Sequence, residues 1–82
     1  MAADEDGVVA SIASAILRYF ATHPDAADSV DGIQRWWLLP LLREEPLPLV
    51  QIALERLVVE GVVRRVVLED GRVVYANLRR NA

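Results

Sequence analysis

Cysteine is missing from this chain of 82 residues, so disulfides, thiol chemistry and cysteine-based zinc sites are excluded. Lysine is missing as well, and the only histidine is His23. A single histidine supplies no cluster of metal ligands, and as a catalytic base it would need a nucleophile and an orienting group beside it. The four glycines are dispersed and form no phosphate-binding loop. We therefore expect no enzyme activity, no cofactor and no small-molecule substrate.

Long apolar runs are absent too. The longest, Trp36 to Leu42, is too short to cross a bilayer and contains Pro40. No segment joins a basic start to an apolar middle and a small-residue cleavage site, so secretion is not indicated. Because 54% of the residues are apolar and 26% are charged, the composition is that of a folded protein. We predict one cytoplasmic domain with no membrane association.

The charge is unevenly distributed along the chain. Residues 1–61 hold four arginines and ten acidic residues, a net charge of −6, whereas residues 62–82 hold five arginines and two acidic residues, a net charge of +3. An acidic body argues against non-specific binding of nucleic acid. The basic C-terminal end, which includes a predicted basic tail at 79–82, keeps nucleic acid as an alternative partner.

Apolar side chains at three- and four-residue spacing predict the first two helices. The first spans about residues 7–22 and ends before Pro24, which restricts the residue preceding it. Residues 1–7 are predicted to be a disordered acidic N-terminus. The second helix is short, about residues 29–38, with Ser29 or the aspartate before it as the N-cap.

The third helix, about residues 48–60, follows a connection at 40–47 and ends at Gly61, which the pattern predicts as its C-cap. Gly32 lies in the middle of the second helix, where close approach of a neighbouring helix would explain a glycine. All three helices are expected to contribute to one core, which holds Ile16, Phe20, Ile33, Trp37, Leu54 and Leu57.

Beyond the third helix the apolar period changes from 3.6 to 2, and two valine-rich runs, 62–68 and 73–78, flank Asp70-Gly71. Asp-Gly between two such runs predicts a β-hairpin with a two-residue type I′ turn. Tyr75 would then lie opposite Val66. In that register one face carries Val63, Val67, Val74 and Leu78 with Arg65, and the other carries Val66, Leu68, Val73 and Tyr75 with Arg64.

The order of helix, short helix, helix ending in glycine and hairpin resembles the winged helix-turn-helix superfamily. The most specific stretch is VQIALERLVVEGVVRR at residues 50–65, followed by EDGRVVY at 69–75. It looks like the third helix and wing of small bacterial winged-helix proteins, in which an L-x-x-L-x-x-x-G segment leads into two strands. The resemblance covers residues 8–78 and implies an α+β fold of three helices with a C-terminal β-hairpin wing.

In DNA-binding members of the superfamily the third helix enters the major groove. The resemblance therefore implies an alternative function as a DNA-binding regulator, with Gln51 and Arg56 in the groove and Arg64, Arg65 and Arg72 on phosphate. Base edges and phosphates are contacted by polar and basic side chains. The exposed positions of this helix are mostly apolar or acidic, which places DNA binding second.

Protein–protein interaction is the first hypothesis, because the domain has more apolar surface than one small core can bury. Leu49, Ile52 and Val59 form a second apolar set on the third helix. Trp36 and Trp37 point about 100° apart, so Trp36 is either a partly buried boundary residue or an anchor for a partner. The partner is another protein or a second copy of the chain, and the candidate contacts are Trp36, Leu49, Ile52, Val59 and Tyr75.

Overall fold

A computed structural model describes residues 5–78 and shows an α+β arrangement, in which helices pack against a three-stranded antiparallel sheet. The α+β class predicted from the sequence is thus confirmed. The predicted basic tail at 79–82 lies outside the described residues. The elements in chain order are α1 (Glu5–Thr22), β1 (Ala27–Asp28), α2 (Val30–Gly32), a π-helical segment (Ile33–Trp37), α3 (Pro40–Arg43), α4 (Leu47–Val59), β2 (Val63–Val67) and β3 (Val73–Asn77).

Helix α1 begins at Glu5, earlier than predicted, so residues 5–7 belong to the helix and not to a disordered terminus. Residues 1–4 of that predicted terminus lie outside the described residues. Glu5 and Asp6 occupy the first turn, where carboxylates interact favourably with the helix dipole. The helix ends at Thr22, two residues before Pro24, as the sequence predicts.

The second helical stretch combines the short helix α2 with the π-helical segment. Ser29, one of the two residues predicted as candidates, is its N-cap, and its hydroxyl accepts a hydrogen bond from the backbone N–H of Gly32 at 3.1 Å. The nearest atoms that a Cβ at Gly32 would meet belong to the carboxylate of Asp28, and these lie closer to the glycine than any atom of the neighbouring helix that the sequence analysis expected. The same carboxylate accepts a hydrogen bond from the Ser29 N–H at 2.8 Å.

The predicted connection at 40–47 contains a further short helix, α3, with Pro40 in its first turn. A proline fits there because the first turn leaves its N–H groups without intrahelical partners. Helix α4 then ends as predicted. Gly61 has a φ of +81°, and its N–H donates to Val58 O while the next N–H, of Val62, donates to Leu57 O. This pair of hydrogen bonds is a Schellman motif.

The hairpin differs from the prediction by one residue. Leu68 N donates to Arg72 O at 2.7 Å and Gly71 N donates to Leu68 O at 2.9 Å, so three residues form the turn. Gly71 has a φ of +90°, which suits the left-handed position that closes such a turn. Arg65 therefore lies opposite Tyr75. A shift of one residue moves side chains to the other face of the sheet, and Tyr75 joins the face of Val63.

Strand β1 was not predicted. It pairs with β3 through two residues, so the sheet has the order β1-β3-β2 and β3 is its central strand. Helices α1 and α4 pack against each other, and the core between the helices and the sheet holds all six predicted core residues in buried positions. Tyr19 stacks on the ring of Trp37 with centroids 4.3 Å apart, and Phe20 meets that ring edge-on. Among residues 5–78, no helix has the length and apolarity that a membrane crossing requires.

Candidate protein-interaction surface

The outward side of α4 carries exposed aliphatic side chains. Ile52 is 45% exposed and Val59 is 86% exposed, whereas Leu49 is half-buried and packs against the core. Of the second apolar set predicted on this helix, two residues are therefore exposed. Together with their polar neighbours they line a shallow, mainly apolar groove, the α4 face, formed by Gln51, Ile52, Glu55, Arg56, Val59 and Glu60.

A polar network joins α4 to the hairpin along one edge of this face. The carboxylate of Glu55 accepts hydrogen bonds from Arg65 at 2.7 Å, from Gln51 at 3.0 Å and from the Tyr75 hydroxyl at 3.2 Å. Gln51 also donates to the Tyr75 hydroxyl at 2.9 Å. We call these four residues the Glu55 network. It ties the two strands of the hairpin to the helix.

The Glu55 network stabilises the charged form of its central carboxylate. Partial desolvation raises the pKa of Glu55, but the hydrogen bonds from Arg65, Tyr75 and Gln51 and the charge of Arg65 together outweigh it. The pKa of Glu55 is therefore lower than its ordinary value, and the carboxylate stays ionised near neutral pH. On the α4 face the ionised Glu55 is paired with Arg65, and Arg56 and the exposed Glu60 add one charge of each sign.

Tyr75 is only 2% exposed, which removes it from the predicted set of contact residues. The one-residue difference in hairpin register is the reason. The predicted two-residue turn placed Tyr75 opposite Val66, on the face away from Val63, whereas the three-residue turn places it opposite Arg65 on the face of the buried Val63. Its ring fills the core and its hydroxyl belongs to the Glu55 network.

The residues predicted to contact nucleic acid do not form one free basic surface. Gln51 and Arg65 both donate to Glu55. Arg56 lies 3.9 Å from Asp6, and Arg72 pairs with Asp70 in the hairpin turn at 2.8 Å.

Arg64 is exposed on the outer face of β2, the opposite face from Arg65, because neighbouring residues in a strand alternate. Within residues 5–78, no carboxylate lies within ion-pair distance of Arg64.

Trp36 is 68% exposed and lies in the π-helical segment, so its interpretation as a partly buried boundary residue is wrong. Its neighbour Trp37 points into the core, as predicted. Trp36 is not one of the residues that line the α4 face. Leu39 and Leu41 are also exposed nearby in the chain. The sequence analysis did not predict that these two leucines are exposed, although leucines on either side of a proline can indicate an apolar segment that leaves the core.

The sequence analysis did not single out Glu55, whose carboxylate accepts hydrogen bonds from three other side chains in the structure. The four-residue spacing from Gln51 to Glu55 was the available signal, because it places both side chains on one side of a helix. Its contact with Tyr75 depends on the hairpin register, and its contact with Arg65 depends on how the hairpin packs on α4, so neither was predictable from the sequence.

In the part of the chain that the structure describes, no group of three or more histidine, cysteine, aspartate or glutamate side chains could hold a metal ion. The chain matches no protein-family model, no curated protein and no solved structure.

Proposed function

We propose that this chain is a small winged-helix domain whose main role is protein–protein interaction. Its partner docks on the α4 face and on the adjacent wing, which consists of β2, the turn and β3. The order of helix, short helical stretch, helix and hairpin supports the winged-helix assignment. The functional proposal rests on the exposure of Ile52 and Val59, which lie on the side of α4 that faces away from the core.

The exposed aliphatic side chains supply the driving force for docking. Complete burial of a valine or isoleucine side chain contributes about 1.5–3 kcal/mol. Scaled by the exposed fractions of 45% and 86%, a partner that covers them gains roughly 1 kcal/mol at Ile52 and roughly 2 kcal/mol at Val59. The Glu55 network adds to this, since it holds the polar side chains beside the groove in fixed positions before the partner arrives.

The same surface is poorly suited to DNA. Glu55 and Glu60 outnumber Arg56 among the charged residues that line this face, and Arg65 beside it is paired with Glu55, so the face offers no excess of positive charge to a phosphate backbone. Pro46 and Pro48 at the start of α4 have no backbone N–H to offer an anion. Gln51, the polar side chain best suited to reading a base edge, is already bonded to Glu55 and Tyr75.

Ile52→Glu tests the proposal. The substitution places a charge in the centre of the α4 face while Ile52 contributes little to the core, so we expect stability to change by less than about 1 kcal/mol. In affinity capture, the variant should fail to retain partner proteins that the unchanged chain retains. Titration of a recovered and purified partner should then show that the variant binds it more weakly. Leu41→Glu is the matched control, because Leu41 is exposed and aliphatic but lies outside the α4 face.

Retention of every partner by Ile52→Glu would contradict the proposal, and so would equal losses with Leu41→Glu. A large loss of stability in Ile52→Glu would show that the side chain belongs to the core.

DNA binding is the second candidate, and the exposed guanidinium of Arg64, which has no ion-pair partner among residues 5–78, supports it. Under the main proposal, random duplex DNA should bind no tighter than about 10⁻⁴ M at physiological salt. Micromolar binding that weakens with added salt and with Arg64→Ala would instead favour the DNA-binding regulator.

A further inference from the structure

Strand β2 (Val63–Val67) forms one edge of the sheet. In the strand order β1-β3-β2 it pairs with β3 on one side, and within residues 5–78 no strand lies along its other side. An edge strand presents a row of backbone N–H and C=O groups to which a further strand can bond. The unpaired side of β2 is therefore a possible site for an extended segment.

The hydrogen bonds of the hairpin show which residues of β2 point to this side. Leu68 and Val62, at the two ends of the strand, both bond to the opposite run through their backbones. In an antiparallel pair, hydrogen-bonded and non-hydrogen-bonded positions alternate, so the even-numbered residues of β2 bond to β3 as well. The N–H and C=O groups of the odd-numbered residues point away from β3. We call these groups, on Val63, Arg65 and Val67, the open edge of β2.

We propose that the open edge of β2 binds an extended acidic segment of a partner protein, which joins the sheet as a fourth, antiparallel strand. The inference rests on the proposed role in protein–protein interaction and deepens it, because it names the chemistry of the segment that meets the wing. In this mode of recognition the backbone hydrogen bonds supply affinity, and the side chains on either face supply specificity.

The charges of β2 select an acidic segment. The strand contains Arg64 and Arg65 and no acidic residue. Neighbouring side chains in a strand point to opposite faces, so positive charge lies on both faces of the sheet beside the open edge. Arg65 is paired with Glu55, whereas Arg64 has no ion-pair partner within residues 5–78. A carboxylate opposite Arg64 on the added strand supplies that partner.

The same charges disfavour a second copy of this chain as the occupant. Two β2 strands paired through their open edges would bring four arginines together, with no carboxylate in either strand. Charged side chains on an edge strand are a common protection against such pairing. DNA also carries charge opposite to that of Arg64, but its phosphates are acceptors only and would leave the C=O groups of the open edge without donors.

The end of β2 near the turn adds an apolar contact. Val67 is 65% exposed, and Val66 on the other face is half-buried. Apolar β-branched side chains on an added strand pack favourably opposite these valines. The strand itself is held in place, since Arg65 donates to Glu55 on α4 at 2.7 Å. The entropy cost of binding therefore falls mainly on the incoming segment.

A synthetic peptide added to the full chain tests the proposal. Its central sequence is Val-Val-Glu-Glu-Thr, which in the antiparallel alignment places valines opposite Val67 and Val66 and glutamates opposite Arg65 and Arg64. We expect a Kd below about 1 mM at physiological salt. In amide hydrogen exchange, the N–H groups of Arg65 and Val67 should gain protection when the peptide binds. Those of Arg64 and Val66 should be protected already, because they bond to β3.

N-methylation of the peptide distinguishes a strand ladder from a purely ionic contact. A methyl group on the nitrogen of the first glutamate, opposite Arg65, removes a donor that the ladder needs and should weaken binding by about tenfold or more. The nitrogen of the second glutamate, opposite Arg64, points away from β2, so methylation there is the matched control and should have a much smaller effect. A peptide with lysines in place of both glutamates should bind at least about tenfold more weakly than the acidic peptide.

Substitutions in the chain give the complementary test. Val67→Pro removes an N–H from the open edge and none from the ladder with β3, and proline is tolerated at such edge positions. It should weaken the acidic peptide by about tenfold while circular dichroism shows a folded chain. Arg64→Glu should weaken the acidic peptide and strengthen the lysine peptide, since the charge at that position is reversed. Ile52→Ala trims the α4 face without adding charge and should change neither.

Three results would overturn the proposal. The acidic peptide could fail to bind at concentrations up to about 1 mM. The two N-methylated peptides could bind equally well, which would reduce the contact to the charge attraction that duplex DNA also offers. Protection could appear elsewhere and not at Arg65 and Val67. A chain that captures partners through Ile52 but binds no acidic peptide would retain the proposed docking on the α4 face without this inference, and the converse result would retain the open edge without that docking.

Discussion

Replacement of Tyr75 by phenylalanine tests the hairpin register and the Glu55 network together. The substitution keeps the ring in the core and removes one oxygen, which accepts a hydrogen bond from Gln51 at 2.9 Å and donates one to Glu55 at 3.2 Å. A net hydrogen bond contributes about 0.5–1.5 kcal/mol, and more when one partner is charged. The second bond is long, and its acceptor Glu55 is partly exposed. We therefore expect Tyr75→Phe to lower the free energy of unfolding by about 1–2 kcal/mol.

Thermal and urea unfolding followed by circular dichroism measure this loss. For a domain of this size, 1–2 kcal/mol corresponds to a decrease of roughly 4–16 °C in Tm. Tyr19→Phe is the matched control. It changes the only other tyrosine, whose ring stacks on Trp37, and we expect less than about 0.5 kcal/mol.

The outcome distinguishes two registers. If Tyr75 lay on the outer face, as a two-residue turn would require, its hydroxyl would be solvated and Tyr75→Phe would have no more effect than Tyr19→Phe. Equal effects of the two substitutions would therefore refute both the register and the network.

Two further predictions concern stability. The pKa of Glu55 is lower in the folded chain than its ordinary value of 4.5, so its stabilising effect is present above that pH and is lost as the pH falls through the folded pKa. Glu55→Gln should flatten the acid side of the stability profile, measured as the urea midpoint against pH; because this side chain is partly exposed, the effect should be small and should shrink with added salt. Leu57→Ala removes a fully buried side chain and should cost about 2–5 kcal/mol in thermal unfolding, whereas Leu41→Ala at an exposed site should cost less than about 0.5 kcal/mol. An equal cost at both positions would contradict the assignment of the core.

Local features of the chain were predictable because they depend on neighbours in sequence. Helical spacing predicted α1 and α4 and all six of the tested core positions. Ser29 and Gly61 were recognised as caps because each satisfies backbone groups within a few residues of itself. These cap hydrogen bonds do not depend on how the rest of the chain packs.

The candidate surface was only partly predictable. Exposure of Ile52 and Val59 followed from the helical period once the core side of α4 was known. The bonds of the Tyr75 hydroxyl with Gln51 and Glu55 did not follow, because Tyr75 reaches α4 only in the register that the hairpin adopts. Trp36 was left open between boundary and surface, and the π-helical segment placed it outside.

By itself, the sequence determined the positions of the long helices, their caps, the core residues and the presence of a hairpin at Asp70-Gly71. Period and capping are local, and burial of the apolar side of each helix follows from them. The tertiary structure alone decided the pairing of β1 with β3, the three-residue turn and the burial of Tyr75. Two-residue and three-residue turns both suit an Asp-Gly sequence, but the two turns direct opposite faces of β3 toward the helices. In the register that the hairpin adopts, the Tyr75 ring packs in the core and its hydroxyl forms hydrogen bonds with α4.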